Sequence, residues 1–387
     1  MRTDQNRASL SRRGEIRLGF RCNARCGFCY YQDKLDTPKA LEPTTGQLRA
    51  RLLALRAEGA DEVEFTGGEP TIRNDLPELA SYARQLGFVN ISVITNGLRL
   101  ASPRYLDSLV QAGVNDFLFS VHGHTAELHD EHTAIPGSFA RIFAAMKNAR
   151  AAGKRCRATT TVTNKNFVHL ESIVGLLIDY EVDCIHLAVF SPVAQATNSE
   201  TDMAVRYTDA AQSIKRAIDR HRNRMPLLSV KYIPFCFMRG YEQYVMNLYQ
   251  QSYDPDDWNY YYSNKIRRTR TKFQRFAFDS LVSVGALLAK RHSFLRHRGW
   301  LGLKVLGITR IVELLRKVRP NACRRCRYDI VCDHVWKGYV DRFGDSEISP
   351  VVGPRVIDPA WCYDLAGSRE PGARLVSGSV RCRRGSA

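Results

Sequence analysis

The feature that most constrains the fold is a regular alternation of strand and helix patterns up to about residue 190. Glu62–Thr66 alternates apolar and polar residues, whereas Thr44–Glu58 places leucines at helical spacing behind a threonine N-cap. Further strands are predicted at Glu15–Phe20, Val89–Ile94, Asp116–Val121, Arg157–Val162 and Cys184–Phe190. Because parallel strands need helical crossovers, the alternation predicts an α/β fold with a parallel sheet and ligand sites at the carboxyl ends of its strands.

Three cysteines directly follow the first predicted strand. Cys22, Cys26 and Cys29 are spaced C-x3-C-x2-C. Thiolates suit iron–sulfur clusters or zinc, but no further Cys or His stands close by to complete a four-ligand zinc site. Three thiols on one loop suit a four-iron cluster with one iron open to another ligand. The alternatives are three buried structural thiols, or one disulfide and a free thiol.

This spacing, with the aromatic Phe28 before the last cysteine, resembles the motif of the radical S-adenosylmethionine (radical SAM) superfamily. The resemblance implies that Cys22, Cys26 and Cys29 hold a [4Fe-4S] cluster that binds S-adenosyl-L-methionine (SAM) at its open iron. Reduction of the cluster would cleave SAM and give a 5'-deoxyadenosyl radical that abstracts a substrate hydrogen. It also implies a partial (β/α)6 TIM-like barrel, which the six predicted strand–helix units fit.

The ends of the later strands carry further candidate SAM contacts. Gly67-Gly68-Glu69-Pro70 follows the second strand, and two glycines allow close backbone approach to a ligand. By resemblance this stretch receives the SAM amino group, with Glu69 supplying negative charge. The same resemblance implies that Ser120 and His122 lie near the ribose and Leu187 near adenine. The other candidates are Phe28, Asn96, Thr161 and Asn164.

Four of the ten histidines fall between residues 122 and 132. A metal site is one interpretation, since imidazole is a common ligand. The favoured interpretation is a loop at the barrel mouth that offers hydrogen bonds to SAM or substrate.

A second group of cysteines lies in the C-terminal half. Cys323, Cys326 and Cys332 are spaced C-x2-C-x5-C, and Cys236 would complete a four-thiolate shell for one further cluster. The triplet resembles the SPASM and twitch auxiliary-cluster domains, which implies an auxiliary [4Fe-4S] cluster in a C-terminal α+β domain. A full SPASM pattern has seven or more cysteines, so one cluster is predicted. Zinc is the alternative metal, and Cys362 the alternative fourth ligand.

Cys156 and Cys184, which lie in or beside strands, are predicted to be core thiols.

The stretch between Cys236 and Cys323 is predicted to be an insertion at 241–320 with two parts. Basic residues interleaved with aromatics at 258–270 could stack on bases or simply pack a helix, which is favoured. Trp300–Val318 predicts an amphipathic basic helix whose default role is packing, with membrane-surface contact as the alternative. Its apolar stripe comprises Leu301, Val305, Ile308, Val312 and Leu315.

Composition limits the remaining choices. The 387 residues carry a net charge of +18, no N-terminal signal pattern, and no apolar run long enough to span a bilayer. Eleven cysteines without an export signal favour metal ligation in the cytoplasm. The charge suits docking of an acidic flavodoxin- or ferredoxin-type electron donor. We expect a basic arm at 1–13, a barrel at 14–230, an auxiliary domain at 231–366 and a disordered tail at 367–387.

The predicted activity is that of a radical SAM oxidoreductase or maturase. Peptide-modifying relatives often carry a recognition domain before the barrel, and Cys22 leaves no room for one here. We therefore expect oxidation or rearrangement of a small natural-product or lipid-linked substrate, with modification of a ribosomally made peptide as the alternative. RNA modification is a further alternative that the charge suggests, although no compact RNA-binding module is recognisable.

Overall fold

The computed structural model describes residues 10–190, 203–267, 277, 280–285 and 295–361. Its main feature is a sheet of seven parallel strands that follow chain order from one edge to the other. The strands are β1 (Arg13–Arg17), β2 (Glu62–Thr66), β3 (Asn90–Thr95), β4 (Asp116–Ser120), β5 (Arg155–Val162), β6 (Cys184–Val189) and β7 (Leu227–Lys231). No strand pairing joins β1 to β7 in the described part, so the sheet is an open, partial (β/α) barrel.

Helices connect the strands and cover one face of the sheet. They are α1 (Thr45–Ala57), α2 (Leu76–Gln85), α3 (Pro103–Ala112), α4 (Ala126–Thr133), α5 (Ser138–Ala151), α6 (Leu170–Asp179), α7 (Tyr207–His221), α8 (Leu248–Gln251), α9 (Tyr260–Arg267), α10 (Leu295–Arg316) and α11 (Lys337–Phe343). The start of α1 is fixed by a capping box between Thr44 and Gln47, as its threonine N-cap predicts.

The predicted parallel α/β architecture is confirmed, with one strand more than the six that were expected. The additional strand lies at the end of the predicted barrel range of 14–230. In the structure Leu227 pairs with Cys184, and β7 extends the barrel sheet. The 15-residue helix α7 lies between β6 and β7 and supplies the crossover that a parallel seventh strand needs.

Side chains alternate across the sheet and divide it into an apolar and a polar face. Outward residues such as Val63, Phe117 and Ile185 are buried against the helices. The inward face is polar near the start of the strands, where the fully buried Arg157 donates to Glu64 Oε1 and Asp116 Oδ1 at 2.8 Å each. Burial raises the pKa of Asp116, but the arginines beside it outweigh burial and leave the pKa below its ordinary value.

Part of the predicted insertion closes this polar end of the barrel. Asp256 accepts hydrogen bonds at its carbonyl oxygen from Arg157 (2.7 Å) and Arg13 (3.1 Å), and Asn259 N donates to Arg13 O at 2.7 Å. Lys231 Nζ also lies 2.6 Å from Asp257 Oδ2. Residues 252–263 therefore pack beneath the barrel, and the domain boundary at 230 remains a prediction.

The N-terminal segment joins this closure. Ser11 is buried and its hydroxyl donates to Asp257 O at 2.8 Å, while Arg13 is 1% exposed and begins β1. The described end of the predicted loose arm, from residue 10 to residue 13, is thus packed; residues 1–9 lie outside the described chain.

The predicted amphipathic helix is present as α10, which begins earlier than expected. Val305 and Ile308 are buried as predicted, because α10 packs against α8 and α9. Leu306 is also buried, whereas Leu315 is 76% exposed, so the buried face differs from the predicted stripe. Among the described residues, no helix combines the length and apolar character that a membrane crossing requires.

A small second unit follows α10. The two-residue strands β8 (Lys317–Val318) and β9 (Val335–Trp336) pair antiparallel, and the cysteine triplet lies between them in sequence. A short 3-10 helix, Asn321–Arg325, carries the first cysteine of the triplet.

Candidate functional site

The cysteine loop leaves β1 at the carboxyl end of the sheet. Cys22, Cys26 and Cys29 are half-buried there and reduced. Two backbone N–H groups point at their sulfurs, since Ala24 N donates to Cys22 Sγ and Tyr31 N to Cys29 Sγ, each at 3.4 Å. Burial, together with the Glu69 carboxylate, raises the pKa of Cys22 to about 11.

The donor set of this loop fits a resident iron–sulfur cluster. The three cysteines interact electrostatically with one another, and burial followed by the other two thiols raises the pKa of Cys26. Neighbouring thiols of this kind are the soft donors that iron–sulfur clusters take. In the described part of the chain, no three Cys, His, Asp or Glu side chains are grouped as ligands for a single metal ion.

The two glycines after β2 lie against the start of the cysteine loop. Gly68 N donates to Gly19 O at 3.0 Å, and Glu69 N donates to Arg21 O at 2.9 Å. A Cβ on Gly68 would lie 2.0 Å from Arg21 O, and one on Gly67 would lie 2.3 Å from Gly19 O. The observed close approach is therefore to the chain's own cysteine loop, a constraint that the sequence analysis did not identify.

Glu69 connects this turn to the end of β3. Its Oε1 accepts from Thr71 Oγ1 (2.6 Å), Thr71 N (3.0 Å) and Thr95 Oγ1 (2.8 Å), and its Oε2 accepts from Asn96 N (2.8 Å). Burial raises the pKa of Glu69, while these hydrogen bonds oppose the shift. The carboxylate is thus a fixed, buried acceptor beside the cysteine loop.

Asn96 completes the contact between the loop and β3. Its Nδ2 donates to Asn23 Oδ1 at 2.8 Å and lies 4.0 Å from Cys22 Sγ. Asn23, inside the cysteine motif, was not among the predicted residues, because only its contact with Asn96 distinguishes it.

His122 lies at the end of β4 and ties it to β5. Thr161 N donates to His122 Nδ1 at 3.2 Å, which leaves the proton of the neutral ring on Nε2. Burial, followed by His129 and His132, lowers the pKa of His122 well below its ordinary value. The Phe28 ring packs on it with 4.5 Å between ring centres, so the predicted Phe28 and His122 are brought together.

The neighbouring histidines are internal hydrogen-bonding groups. His129 Nδ1 accepts from His122 N at 3.2 Å. His132 contacts Leu128 O at 2.7 Å through Nδ1 and Thr163 Oγ1 at 3.0 Å through Nε2. Through these hydrogen bonds the rings of His129 and His132 hold α4 and the strand ends together. This arrangement does not favour the interpretation of the histidines as ligands of one metal.

The remaining predicted SAM contacts do not all lie on the same face of the sheet. Ser120 and Thr161 are half-buried on the inward face at the ends of β4 and β5. Asn164, just after β5, is exposed, and its N–H donates at 3.1 Å to the carbonyl oxygen of Met203, which lies between β6 and α7. Leu187 is fully buried among the outward-facing core residues, because strand alternation places it opposite the inward-facing His186. Its side chain therefore does not lie with the other predicted contacts.

The second cysteine group surrounds one cavity. Cys236, Cys323, Cys326 and Cys332 all line it, together with aromatic and apolar residues that include Phe235, Tyr328 and Ile348. Burial, followed by Cys326 and Cys323, raises the pKa of Cys236 to about 12. Four thiols at one cavity are a donor set that fits a second cluster. We propose below that they hold an auxiliary iron–sulfur cluster.

The other cysteines lie elsewhere or outside the described chain. Cys156 and Cys184 are buried in strands, at 0% and 2% exposure, in agreement with their prediction as core thiols. Cys362, the alternative fourth ligand, lies outside the described residues. Its neighbour Trp361 stacks on Tyr328, with ring centres 5.3 Å apart.

Comparison with known proteins identifies the class that this sheet and cysteine loop define. Residues 16–177 match the model of the radical SAM superfamily. The curated relatives include a probable GTP 3',8-cyclase of Sulfurisphaera tokodaii, 26% identical over 57% of this chain and 67% of that protein. They also include an AdoMet-dependent heme synthase of Oleidesulfovibrio alaskensis, 29% identical over 45% of this chain and 44% of that protein.

A solved structure with a similar fold is Streptococcus suis SuiB bound to S-adenosylmethionine. It is 19% identical, with a TM-score of 0.49, over 57% of this chain and 51% of that one. The chain spans about half of the length of most curated relatives that it matches.

The chain therefore contains a radical SAM domain, which spans residues 16–177. Enzymes of this superfamily use a [4Fe-4S] cluster and SAM.

Proposed function

We propose that Cys22, Cys26 and Cys29 hold the [4Fe-4S] cluster and that the enzyme oxidises or rearranges a small-molecule substrate. When bound, the cluster and SAM supply a 5'-deoxyadenosyl radical that abstracts a substrate hydrogen. The observation that carries this proposal is the contact of the three-thiol loop with the Gly67–Glu69 turn and with Asn96, all at the carboxyl end of a parallel barrel.

The protein's own part in this chemistry is to fix the position of the cofactor groups. The Gly67–Gly68 turn and Asn96 would bind SAM, and Glu69 would hold both in place through its hydrogen bonds to Asn96 N and Thr95 Oγ1. Because these bonds form without ligand, the site would lose little conformational entropy on binding. His122 and Phe28, packed against each other, would exclude water from the adjoining strand ends.

The second proposed element is an auxiliary SPASM/twitch-like cluster held by Cys236, Cys323, Cys326 and Cys332. The support is that all four line one cavity although 87 residues separate the first two in sequence. Val351 N donates to Cys326 Sγ at 3.4 Å, the kind of hydrogen bond that tunes an iron–sulfur cluster. A cluster here would accept an electron from the substrate or bind it directly.

A small-molecule substrate is favoured by the curated relatives, whose names refer to GTP and heme. An acidic flavodoxin- or ferredoxin-type protein would supply the electron, since the chain carries a net charge of +18.

Deuterium transfer into 5'-deoxyadenosine tests the substrate assignment. Reconstituted enzyme would be reduced in the presence of SAM and deuterated candidates: nucleotides, tetrapyrrole precursors, lipid-linked sugars, precursor peptides and RNA. The proposal expects label from a small molecule. Label from peptides alone would establish peptide maturation instead, and label from RNA alone would establish RNA modification.

A further inference from the structure

One layer of the barrel interior is open to solvent, while the layer beneath it is closed. In β1 to β6 the last inward-facing residues are half-buried: Arg17, Thr66, Ile94, Ser120, Thr159, Thr161 and Ala188. The inward residues one step earlier in these strands are buried: Glu15, Glu64, Ser92, Leu118, Arg157 and His186. The open layer therefore forms the floor of the barrel mouth, where a substrate of this fold would lie.

Arg17 is the one charged residue in this layer of β1 to β6. Its guanidinium has loose partners, with Nη2 3.7 Å from Glu15 Oε1 and the Tyr31 ring centre 4.7 Å from Cζ. Its Nε is buried and has no hydrogen-bond partner among the described residues. A guanidinium presents five N–H donors, so this one retains unused donors on the inward face of the sheet.

The other inward-facing cations differ from Arg17 in this respect: Arg157 lies one layer deeper, and Lys231 pairs with Ala188 in the β6–β7 register. Arg157 makes four hydrogen bonds, and Lys231 is paired with Asp257 at 2.6 Å. The charges of Arg157 and Lys231 are therefore paired within the barrel, whereas Arg17 lies at the barrel mouth with unused donors.

Hydroxyl groups adjoin Arg17 in the same layer. Thr66 is its direct partner in the β1–β2 register, so the two side chains share a face. Thr159 lies across the barrel on β5. Neither hydroxyl makes a side-chain hydrogen bond within the described chain, and no carboxylate joins them in this layer. A cation flanked by free hydroxyls is a set of donors for an anion.

We propose that Arg17, with Thr66 beside it, binds an anionic group of the substrate, a carboxylate or a phosphate. The inference deepens the proposed function, on which it rests, by naming the substrate class as an anionic small molecule. The radical site would then act on a carbon whose distance from the anion is fixed by the Arg17 contact.

Protection of Arg17 from phenylglyoxal tests the proposal without an activity measurement. The reconstituted enzyme would be modified anaerobically with pyrophosphate, with succinate or with sodium chloride at equal ionic strength, and each arginine followed by peptide mass spectrometry. A probe at twice its dissociation constant should slow modification of Arg17 by about threefold. Exposed Arg49, at the edge of α1, is the internal control and should react equally in all samples.

The choice of anion distinguishes the chemical groups that Arg17 could bind. Protection by pyrophosphate alone indicates a phosphate, and protection by succinate alone a carboxylate. Thr66→Val should weaken the protection and Thr66→Ser should retain it. The proposal is overturned if neither anion protects Arg17, or if SAM alone protects it fully, which would assign Arg17 to the cofactor. Formation of 5'-deoxyadenosine, measured on the same protein, tests the proposed function separately.

Discussion

The contact between Gly68 and the cysteine loop allows a stringent test of how the loop is held. In Gly68→Ala the new Cβ would lie 2.0 Å from Arg21 O and 2.3 Å from Phe20 O, where ordinary contacts begin at 3.4 Å. Both are backbone atoms, so no side-chain rotation relieves the clash. The φ angle of Gly68 is not positive, which makes the expected effect steric and not conformational.

The magnitude follows from the bonds that must break. To relieve the clash, the Gly67–Glu69 turn and the cysteine loop must move apart by more than an ångström. This lengthens the hydrogen bonds from Gly68 N to Gly19 O (3.0 Å) and from Glu69 N to Arg21 O (2.9 Å) beyond hydrogen-bonding range. Two lost backbone bonds amount to about 2 kcal/mol of unfolding free energy. We also expect reduced iron at the first cluster, because Cys22 follows directly after Arg21.

Urea unfolding of the apo protein and iron analysis after anaerobic reconstitution measure the two effects. Gly46→Ala in α1 is the matched control, since the nearest atom to its Cβ is 4.0 Å away. The control should keep full iron and gain up to about 1 kcal/mol of stability from the added helix propensity. Wild-type stability and iron content in Gly68→Ala would refute the account of the loop.

Three further substitutions test other parts of the molecule. Glu69→Gln removes a charged acceptor of the Asn96 N–H, so SAM in equilibrium dialysis should bind at least about tenfold more weakly; unchanged affinity would argue against its role. Cys326→Ala should lose about half of the bound iron and retain SAM cleavage, whereas Cys156→Ala should keep all of it; full iron in Cys326→Ala would rule out the auxiliary site. Asp116→Asn leaves buried arginines uncompensated and should cost about 3–5 kcal/mol of unfolding free energy, unlike the exposed Asp219→Asn. The lowered pKa of Asp116 means that wild-type stability is lost as pH falls below the unfolded-state value near 4, and the loss should be smaller in Asp116→Asn.

The sequence predicted the part of the fold that depends on local pattern. Strand alternation and helix periodicity located the first six strands to within a few residues, because each element carries its own apolar face. The seventh strand carried the same pattern, but its membership of the barrel depends on pairing with β6. Sequence period alone does not specify which sheet a strand joins.

The same limit applies to residues 252–263 but not to Leu187. The closure beneath the barrel depends on Arg13 and Arg157, which lie about 100 residues or more from Asp256 in sequence. Their contact is a consequence of the barrel geometry and has no local signal. For Leu187 the period was available: counting from the polar inward His186 would have placed Leu187 on the outward face.

The cysteines show what motif spacing does provide. The spacing predicted the donor set of the first loop, and the structure adds the loop's contacts to Gly68, Glu69 and Asn96. For the second group, the triplet was evident from sequence and Cys236 was predicted to join it; the structure adds that all four line one cavity.

The central claim is that three thiols of one loop hold a cluster that binds and cleaves SAM. Its most direct test is electron paramagnetic resonance of the dithionite-reduced, reconstituted enzyme before and after SAM, with 5'-deoxyadenosine measured on the same samples. The account predicts that SAM shifts the signal of one cluster and that 5'-deoxyadenosine forms, both abolished in Cys26→Ala. Protein that carries only zinc, or a spectrum that SAM leaves unchanged with no 5'-deoxyadenosine formed, would contradict it.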